Sequence, residues 1–348
     1  MKDLTMKPIL PATLLLAVLG TTAGTASAQS VRQLNVDGLQ REYLLYLPTN
    51  FNPAENLPVM VWHHGGGGTS EGGLFEADFR SLANTERFIL VYAQAYPDVL
   101  EGCTCWGYEE AGGYTNGNYE IDLAYTSAMI DDLVETYNAD RSRIYAGGYS
   151  MGGSYVWDLA CAKSDEIAAV APVAANCYPW TFAACDSAAP IAICHILGTN
   201  DFYAPYNSGG WTPSVAEQYD YWVAKNGAQT PPEIVNLGGG VTRYTWFAGE
   251  NCEAGYQHFR RQGGGHDVPG NAPQLIWAFV SQHALENVID CVDDSIPGDI
   301  NGDDLVNGQD LAQVLANWGS TTTPLADLNG DGVINGPDIT IVLSSWTG

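Results

Sequence analysis

Arg143-Ile144-Tyr145-Ala146-Gly147 has the character of a short buried strand. It runs without a loop into Gly148-Tyr149-Ser150-Met151-Gly152, after which a helical pattern continues to Leu159. A strand that turns directly into a helix with a serine at its apex needs glycines on both sides, because the turn is strained and neighbouring backbone comes close. In a chain with 39 glycines the five-residue string arises by chance with an expectation of roughly 0.2, so its setting carries the inference. β-like runs at 43–47, 58–63, 88–93, 167–173, 191–197 and 242–247 are interspersed with helical patterns at 121–137, 213–225 and 272–285. Such alternation predicts an α/β fold with a mostly parallel central sheet.

Three other segments supply partners for Ser150 as a nucleophile. His63-His64-Gly65-Gly66-Gly67-Gly68 closes a predicted strand, and its glycines let the Gly65 and Gly66 N–H groups converge with that of Met151 as an oxyanion hole. Asp201 follows the strand at 191–197 and can orient a histidine. His266 lies in Gly263-Gly264-Gly265-His266-Asp267, a loop between the last strand and last helix, and is the candidate general base and acid. His258 and His283 sit in strand-like and helical contexts and are expected to be structural. Trp106, Tyr206 and Trp211 are candidates for flat pocket walls suited to a phenolic acyl group or a sugar face.

The C-terminal part repeats itself with a shift of 28 residues, so that Asp299 matches Asp327 and Trp318 matches Trp346. Each copy opens with a twelve-residue Asp/Asn loop whose positions 1, 3, 5, 7, 9 and 12 are spaced to surround Ca2+, position 7 through its carbonyl. The first set is Asp299, Asn301, Asp303, Leu305, Asn307 and Asp310; the second is Asp327, Asn329, Asp331, Val333, Asn335 and Asp338. Position 6 is Gly332 in the second loop but Asp304 in the first, so the first site is expected to bind more weakly. The stripes Leu311, Val314, Leu315, Trp318 and Ile339, Val342, Leu343, Trp346 are expected to form core.

From Val292 onward there are nine aspartates and no Lys or Arg, which contributes to a formal charge of −27 over 348 residues. That charge excludes a nucleic-acid binder that tracks phosphates. Lys2 and Lys7, an apolar run at 9–19 and Ala26-Ser27-Ala28 read as a cleavable secretory signal, with an uncleaved anchor as the alternative, so that no membrane attachment after cleavage and an extracellular location are expected. The eight cysteines all lie beyond it, an even number that favours disulfides in an exported chain. Their pairing is open, Cys194 can be a buried free thiol, and Cys103-Thr104-Cys105 lacks the second pair a zinc site needs.

His64-Gly65-Gly66-Gly67, the run from Asp140 to Gly153, Gly198-Thr199-Asn200-Asp201 with Pro205-Tyr206, and Gly264-Gly265-His266 with Pro269-Gly270 resemble the secreted esterases that include polyhydroxybutyrate depolymerases and feruloyl or acetylxylan esterases. The resemblance covers about 31–285 and implies an α/β-hydrolase with Ser150, Asp201 and His266 as its triad and no catalytic cofactor. The family commonly has Thr-Trp where this chain has Asp267-Val268. The tandem loops resemble a type I dockerin, implying a small all-α calcium-binding domain of two EF-hand-like loop-helix repeats with two structural Ca2+ sites and a cohesin-bearing partner. Gly308-Gln309 and Gly336-Pro337 replace the Ser/Thr pairs of well-known versions, which leaves that partner's identity open.

The expected organisation is a signal at 1–28, an esterase domain at 29–291, a linker at 292–297 and the dockerin-like domain at 298–348. The expected function is hydrolysis of feruloyl or acetyl esters on plant or algal polysaccharide. A polyhydroxyalkanoate depolymerase and an inert carbohydrate-binding or scaffold protein are the alternatives.

Overall fold

Four strands, β3 (Leu57–His63), β4 (Ile89–Ala93), β10 (Ala169–Val173) and β11 (Ala192–Gly198), are buried at every residue. Strands hidden on both faces read as continuous apolar runs and require cover on both sides of the sheet. The computed structural model describes residues 29–98, 102–107, 109, 110, 113, 114, 118–185, 188–208, 212–249, 254–285, 298, 300, 305–319, 326, 328, 329 and 333–347. The expected signal and linker lie outside the described residues.

The other strands of the main sheet are β1 (Gln29–Val36), β2 (Leu39–Tyr46), β9 (Ala139–Tyr149), β12 (Glu233–Gly238), β13 (Val241–Trp246) and β14 (Tyr256–Arg261). Two short hairpins pair β5 (Pro97–Asp98) with β6 (Cys103–Thr104) and β7 (Glu109–Glu110) with β8 (Gly113–Tyr114). The ten-stranded order is β1-β2-β4-β3-β9-β10-β11-β14-β13-β12. Strands β4 to β14 in that order are parallel, and an antiparallel pair extends each edge. The fold is thus an α/β-hydrolase sheet with a mostly parallel centre.

The helices around this sheet are α1 (Ser70–Glu76), α2 (Arg80–Glu86), α3 (Tyr119–Tyr137), α4 (Met151–Ala162), α5 (Pro179–Ala184), α6 (Val215–Lys225) and α7 (Ala272–Val280). Because side chains alternate along a strand, Val59 and Val61 pack with Met129, Leu133 and Val156 of α3 and α4, while Met60 and Trp62 enter the opposite core with Ile276 and Trp277 of α7. Helix α6 is started by a reciprocal capping box between Ser214 and Glu217. Between β2 and α3, Arg41 Nη2 meets Asp122 Oδ1 at 2.7 Å and stacks 3.9 Å above the Tyr125 ring, so its buried charge is paired.

Burial pushes His63 and His195 down to about 4, and lowers His64 and His258 as well. A histidine whose folded value lies below 6.5 is held neutral by the fold while the unfolded chain takes up the proton. The stability it contributes is complete above pH 6.5 and is lost as pH falls towards 4. Burial raises Asp122 to about 6, which acts in the opposite sense over the acid range. Burial raises the Glu76 carboxyl in the same sense as Asp122, so four histidines against two carboxyls predict a thermal midpoint that falls from pH 7 to pH 4, and a flat or rising midpoint in a calorimetric pH series would contradict this.

In the C-terminal repeats, α8 (Gly308–Ala316) and α9 (Gly336–Ser344) enclose a small core of Val306, Val314, Ala326, Ile334 and Val342. Gly319 N–H donates to Ile334 O at 2.8 Å and Thr347 N–H to Val306 O at 2.9 Å, so the end of each repeat closes on the loop of the other. Neither repeat buries its apolar face alone. The expectation that both stripes are core holds for Val314 and Val342, with Leu311 and Ile339 packed at the margin. It is corrected for Leu315, Trp318, Leu343 and Trp346, which are 54, 53, 54 and 41% exposed. Two nine-residue helices enclose too small a volume to cover both sides of each stripe.

Candidate active site

Ser150 stands between β9 and α4 with φ 53° and ψ −120°, a backbone that a residue with a side chain adopts only under constraint. The constraint is visible on both sides. Ser150 N–H donates to Val173 O of β10 at 3.0 Å, and its own carbonyl accepts the Ser154 N–H at 2.9 Å. A Cβ on Gly148 would lie 2.5 Å from Gly152 O, and one on Gly152 would lie 2.3 Å from His63 O. The glycines are therefore required by close backbone approach rather than by flexibility.

His266 Nε2 is 2.7 Å from Ser150 Oγ, and His266 Nδ1 is 3.0 and 2.9 Å from the two carboxylate oxygens of Asp201. Asp201 Oδ1 also accepts the N–H groups of Tyr203 at 2.9 Å and Ala204 at 2.8 Å. A carboxylate is an acceptor only, so Nδ1 carries the proton and Nε2 is left with a lone pair aimed at the serine hydroxyl. The histidine loop is held at several points: Tyr149 Oη donates to His266 O at 2.9 Å, Asn200 N–H to Gly264 O at 2.9 Å, and Arg261 Nη2 to Asp267 Oδ2 at 2.8 Å. Asp267, where the resembling family has threonine, thus serves as the acceptor for Arg261.

The oxyanion loop differs from expectation at one donor. Gly65 N–H is bound by Glu76 Oε1 at 3.0 Å, with Oε2 accepting Trp62 Nε1–H at 3.0 Å, so Gly65 has no N–H to offer an oxyanion. Burial raises the Glu76 carboxyl. Ala95 N–H donates to His64 Nε2 at 3.2 Å, which places the ring proton on Nδ1, where it reaches Gly65 O at 2.7 Å. Gly68 N–H also donates to that carbonyl. In a trans peptide the N–H points opposite to the C=O, so the Gly66 N–H is turned the other way. Among the described residues neither Gly66 N–H nor Met151 N–H has a protein acceptor, and Gly66 lines the same cavity as Ser150.

Two cavities meet at Ser150. One, of about 390 Å3, is lined by Gly65 to Gly68, Glu76, Tyr149, Tyr203 and His266; the other, of about 160 Å3, by Met151, Ser154, Ala174, Ala175, Asn176 and Tyr178 with Tyr203 again. The expected pocket walls are corrected. Trp106 is wholly buried, stacked on Tyr155 with its Nε1–H on His64 O at 2.8 Å, and cannot touch a substrate. Tyr206 packs into the core and shares a hydrogen bond with His258 Nε2 at 2.9 Å. Trp211 lies outside the described residues. Among the described residues, the tyrosines that border Ser150 are Tyr149, Tyr178 and Tyr203; Tyr203 was detectable as part of the Asp201 turn.

Of the expected calcium ligands, Asp299, Asn301, Asp303, Asp327 and Asp331 lie outside the described residues. Leu305, Asn307, Asp310, Asn329, Val333, Asn335 and Asp338 are described. Asp310 and Asp338 are wholly buried, each with one oxygen on the N–H of Asn307 or Asn335 and the other on the first turn of its loop, at Ile300 or Leu328. No group of three or more His, Cys, Asp or Glu forms a metal cluster among the described residues. Of the cysteines, Cys103 is bonded to Cys105 and Cys161 to Cys185, Cys177 and Cys194 are buried thiols, and Cys252 and Cys291 lie outside the described residues.

Residues 38–234 match the family model described as "Putative esterase", and residues 297–344 match the "Dockerin type I domain". A bifunctional acetylxylan esterase/xylanase of Neocallimastix patriciarum is 28% identical over 255 residues, covering 72% of this chain and 35% of its own length. A feruloyl esterase B of Thermothelomyces thermophilus is 29% identical over 43% of this chain and 49% of its own length. This chain therefore spans a third to a half of those relatives. A probable feruloyl esterase C of Aspergillus oryzae is 28% identical over 78% of this chain and 97% of its own. The acetyl xylan esterase from Aspergillus awamori shares the fold, with a TM-score of 0.52 at 16% identity over 72% of this chain and 99% of its own. With more than half of its length matched, the chain belongs to this esterase family and carries a dockerin type I domain.

Proposed function

We propose that the chain is a secreted serine carboxylic ester hydrolase that removes feruloyl or acetyl groups from plant or algal polysaccharide. The observation that carries this reading is the continuous hydrogen-bonded line from Ser150 Oγ through His266 to Asp201 at the apex of a strained turn. Ser150 Oγ attacks the ester carbonyl as His266 Nε2 takes its proton, and the Gly66 and Met151 N–H groups receive the oxyanion. Collapse breaks the bond to the alcohol, which leaves with the proton from Nε2. Water then repeats the sequence on the acyl-enzyme, freeing the acid and restoring Ser150. Names of the relatives and the dockerin domain favour polysaccharide esters. Assay of methyl ferulate, acetylated xylan and polyhydroxybutyrate film is expected to release ferulate or acetate and leave the film intact. Hydrolysis of the film alone would overturn the substrate assignment.

In this reading residues 1–28 are a removed signal, 29–291 the catalytic unit, 292–297 a linker and 298–348 the tether. No helix among the described residues is long and apolar enough to cross a membrane. The exposed Leu315 and Trp318, with their counterparts Leu343 and Trp346, give the dockerin domain an apolar face fit for a cohesin-bearing partner.

A dockerin type I domain implies calcium binding, and the residues here fit it: Asp310 and Asp338 are buried in a stretch without Lys or Arg. Ca2+ supplies the positive charge these loops lack. It would be held by Asp299, Asn301, Asp303, Leu305, Asn307 and Asp310 in one loop and by Asp327, Asn329, Asp331, Val333, Asn335 and Asp338 in the other. Calorimetric titration of the full chain is expected to show calcium uptake at two sites, with one lost in Asp338→Ala. At a hundredfold excess over Kd each site stabilises the domain by about 2.7 kcal/mol, so a chelator lowers its thermal midpoint. Absence of any binding heat would refute the assignment.

A further inference from the structure

We propose that the disulfide-closed turn Cys103–Cys105 is a positioning brace for the oxyanion hole, acting through Thr104 and Trp106. The proposal rests on the serine-hydrolase reading above. The glycine loop has no side chains with which to hold itself, yet its donors must meet one point in space. Its backbone groups are held from outside, and the 103–107 segment makes three of those contacts. Thr104 O accepts the Gly67 N–H at 3.0 Å, Thr104 Oγ1 donates to Gly68 O, and Trp106 Nε1–H donates to His64 O at 2.8 Å.

These contacts act on consecutive peptide planes. Trp106 holds the carbonyl of the 64–65 peptide while Glu76 holds its N–H, fixing that plane at both ends. His64 Nδ1–H and Gly68 N–H fix the carbonyl of the 65–66 peptide, and Thr104 fixes the N–H of the 66–67 peptide. Gly66 N–H is the donor that remains, and its direction follows from planes clamped before and after it. The segment is itself anchored to the core: the Trp106 ring stacks on Tyr155 at 5.1 Å and meets His63 edge-on at 4.9 Å, and Gly107 N–H donates to Asp122 Oδ2 at 2.9 Å.

The position of the disulfide indicates a local task. Its cysteines are two apart in sequence, whereas Cys161 and Cys185 are 24 apart. The entropy a crosslink removes from the unfolded chain grows with the length of the loop it closes, so the short ring restrains the unfolded state least. It does restrict the backbone of Thr104, whose two oxygens hold the loop, and it fixes how the chain enters Trp106.

The test compares the full-length wild type with Cys103→Ser/Cys105→Ser and with Trp106→Phe, which keeps an aromatic ring and deletes the Nε1–H. Turnover of p-nitrophenyl acetate and inhibition by a boronic acid that forms a tetrahedral adduct on Ser150 are measured. Losing one oxyanion donor outright costs about 10²–10³ in rate, so a misaligned loop is expected to lower kcat by about 10- to 100-fold in the double variant and about 10-fold in Trp106→Phe. KM should stay within about twofold, boronic acid affinity should weaken along with kcat, and the double variant's thermal midpoint should stay close to that of the wild type. Wild-type kcat in both variants, or a loss confined to KM with unchanged boronic acid affinity, would overturn the brace. If the double variant does not fold, Trp106→Phe decides by the same readouts. A wild type without turnover would sink the serine-esterase reading and the brace together, whereas active wild type with equally active variants sinks the brace alone.

Discussion

Ser150→Ala is expected to lower kcat for small esters by about 10⁶-fold while leaving KM and thermal stability near those of the wild type. The magnitude follows from losing the covalent step itself: without Oγ, His266 has no hydroxyl to deprotonate and the oxyanion donors have no tetrahedral adduct to stabilise. Stability should change little, because Ser150 makes its fold-holding contacts through backbone, its N–H to Val173 and its carbonyl to Ser154, and alanine keeps both. Residual hydrolysis above the uncatalysed rate would come from binding and the oxyanion hole acting on water. Steady-state kinetics with burst analysis decides the matter. A variant that retains both the burst and turnover would refute Ser150 as nucleophile.

Asp201→Asn is expected to cost about 10⁴-fold in kcat, for a reason specific to its surroundings. Oδ1 already accepts two backbone N–H groups, from Tyr203 and Ala204. An asparagine must therefore keep its oxygen there, which puts its NH2 where Oδ2 meets His266 Nδ1. A donor facing Nδ1 drives the ring proton to Nε2, and the imidazole can no longer take the proton from Ser150. The turn itself survives, so the variant should fold normally. Reaction of Ser150 with a fluorophosphonate should slow in parallel with turnover, and Ser150→Ala/Asp201→Asn should be no worse than Ser150→Ala alone. A variant within about tenfold of wild-type kcat would show that Asp201 does not set the tautomer.

The parallel centre of the sheet was legible because buried strands carry unbroken apolar runs, as in β4 and β10, and because α3 repeats apolar residues at helical spacing. Strand β14 was harder to see: Gln257, His258, Arg260 and Arg261 interrupt its apolar character, and pairing between β11 and β13 holds it in the sheet. Strand β12 is largely exposed and gives no alternation to read. Ser150, Asp201 and His266 could each be singled out because sharp turns at strand ends demand glycine or a polar capping residue. Trp106 misled because an aromatic residue beside a cysteine has the same composition whether it faces a pocket or a core.

The sequence by itself determined the strand-turn-helix around Ser150, the order of its partners and the doubled Asp/Asn loops, since each depends on local backbone requirements within a few residues. Only the tertiary structure decided which N–H groups remain to meet an oxyanion. That depends on acceptors and donors brought in from afar: Glu76 removes Gly65 from the set, while Thr104 and Trp106 hold the loop that presents Gly66. Hydrogen-bond competition of this kind has no signature along the chain, because the groups that compete are distant in sequence and meet only when the sheet has assembled.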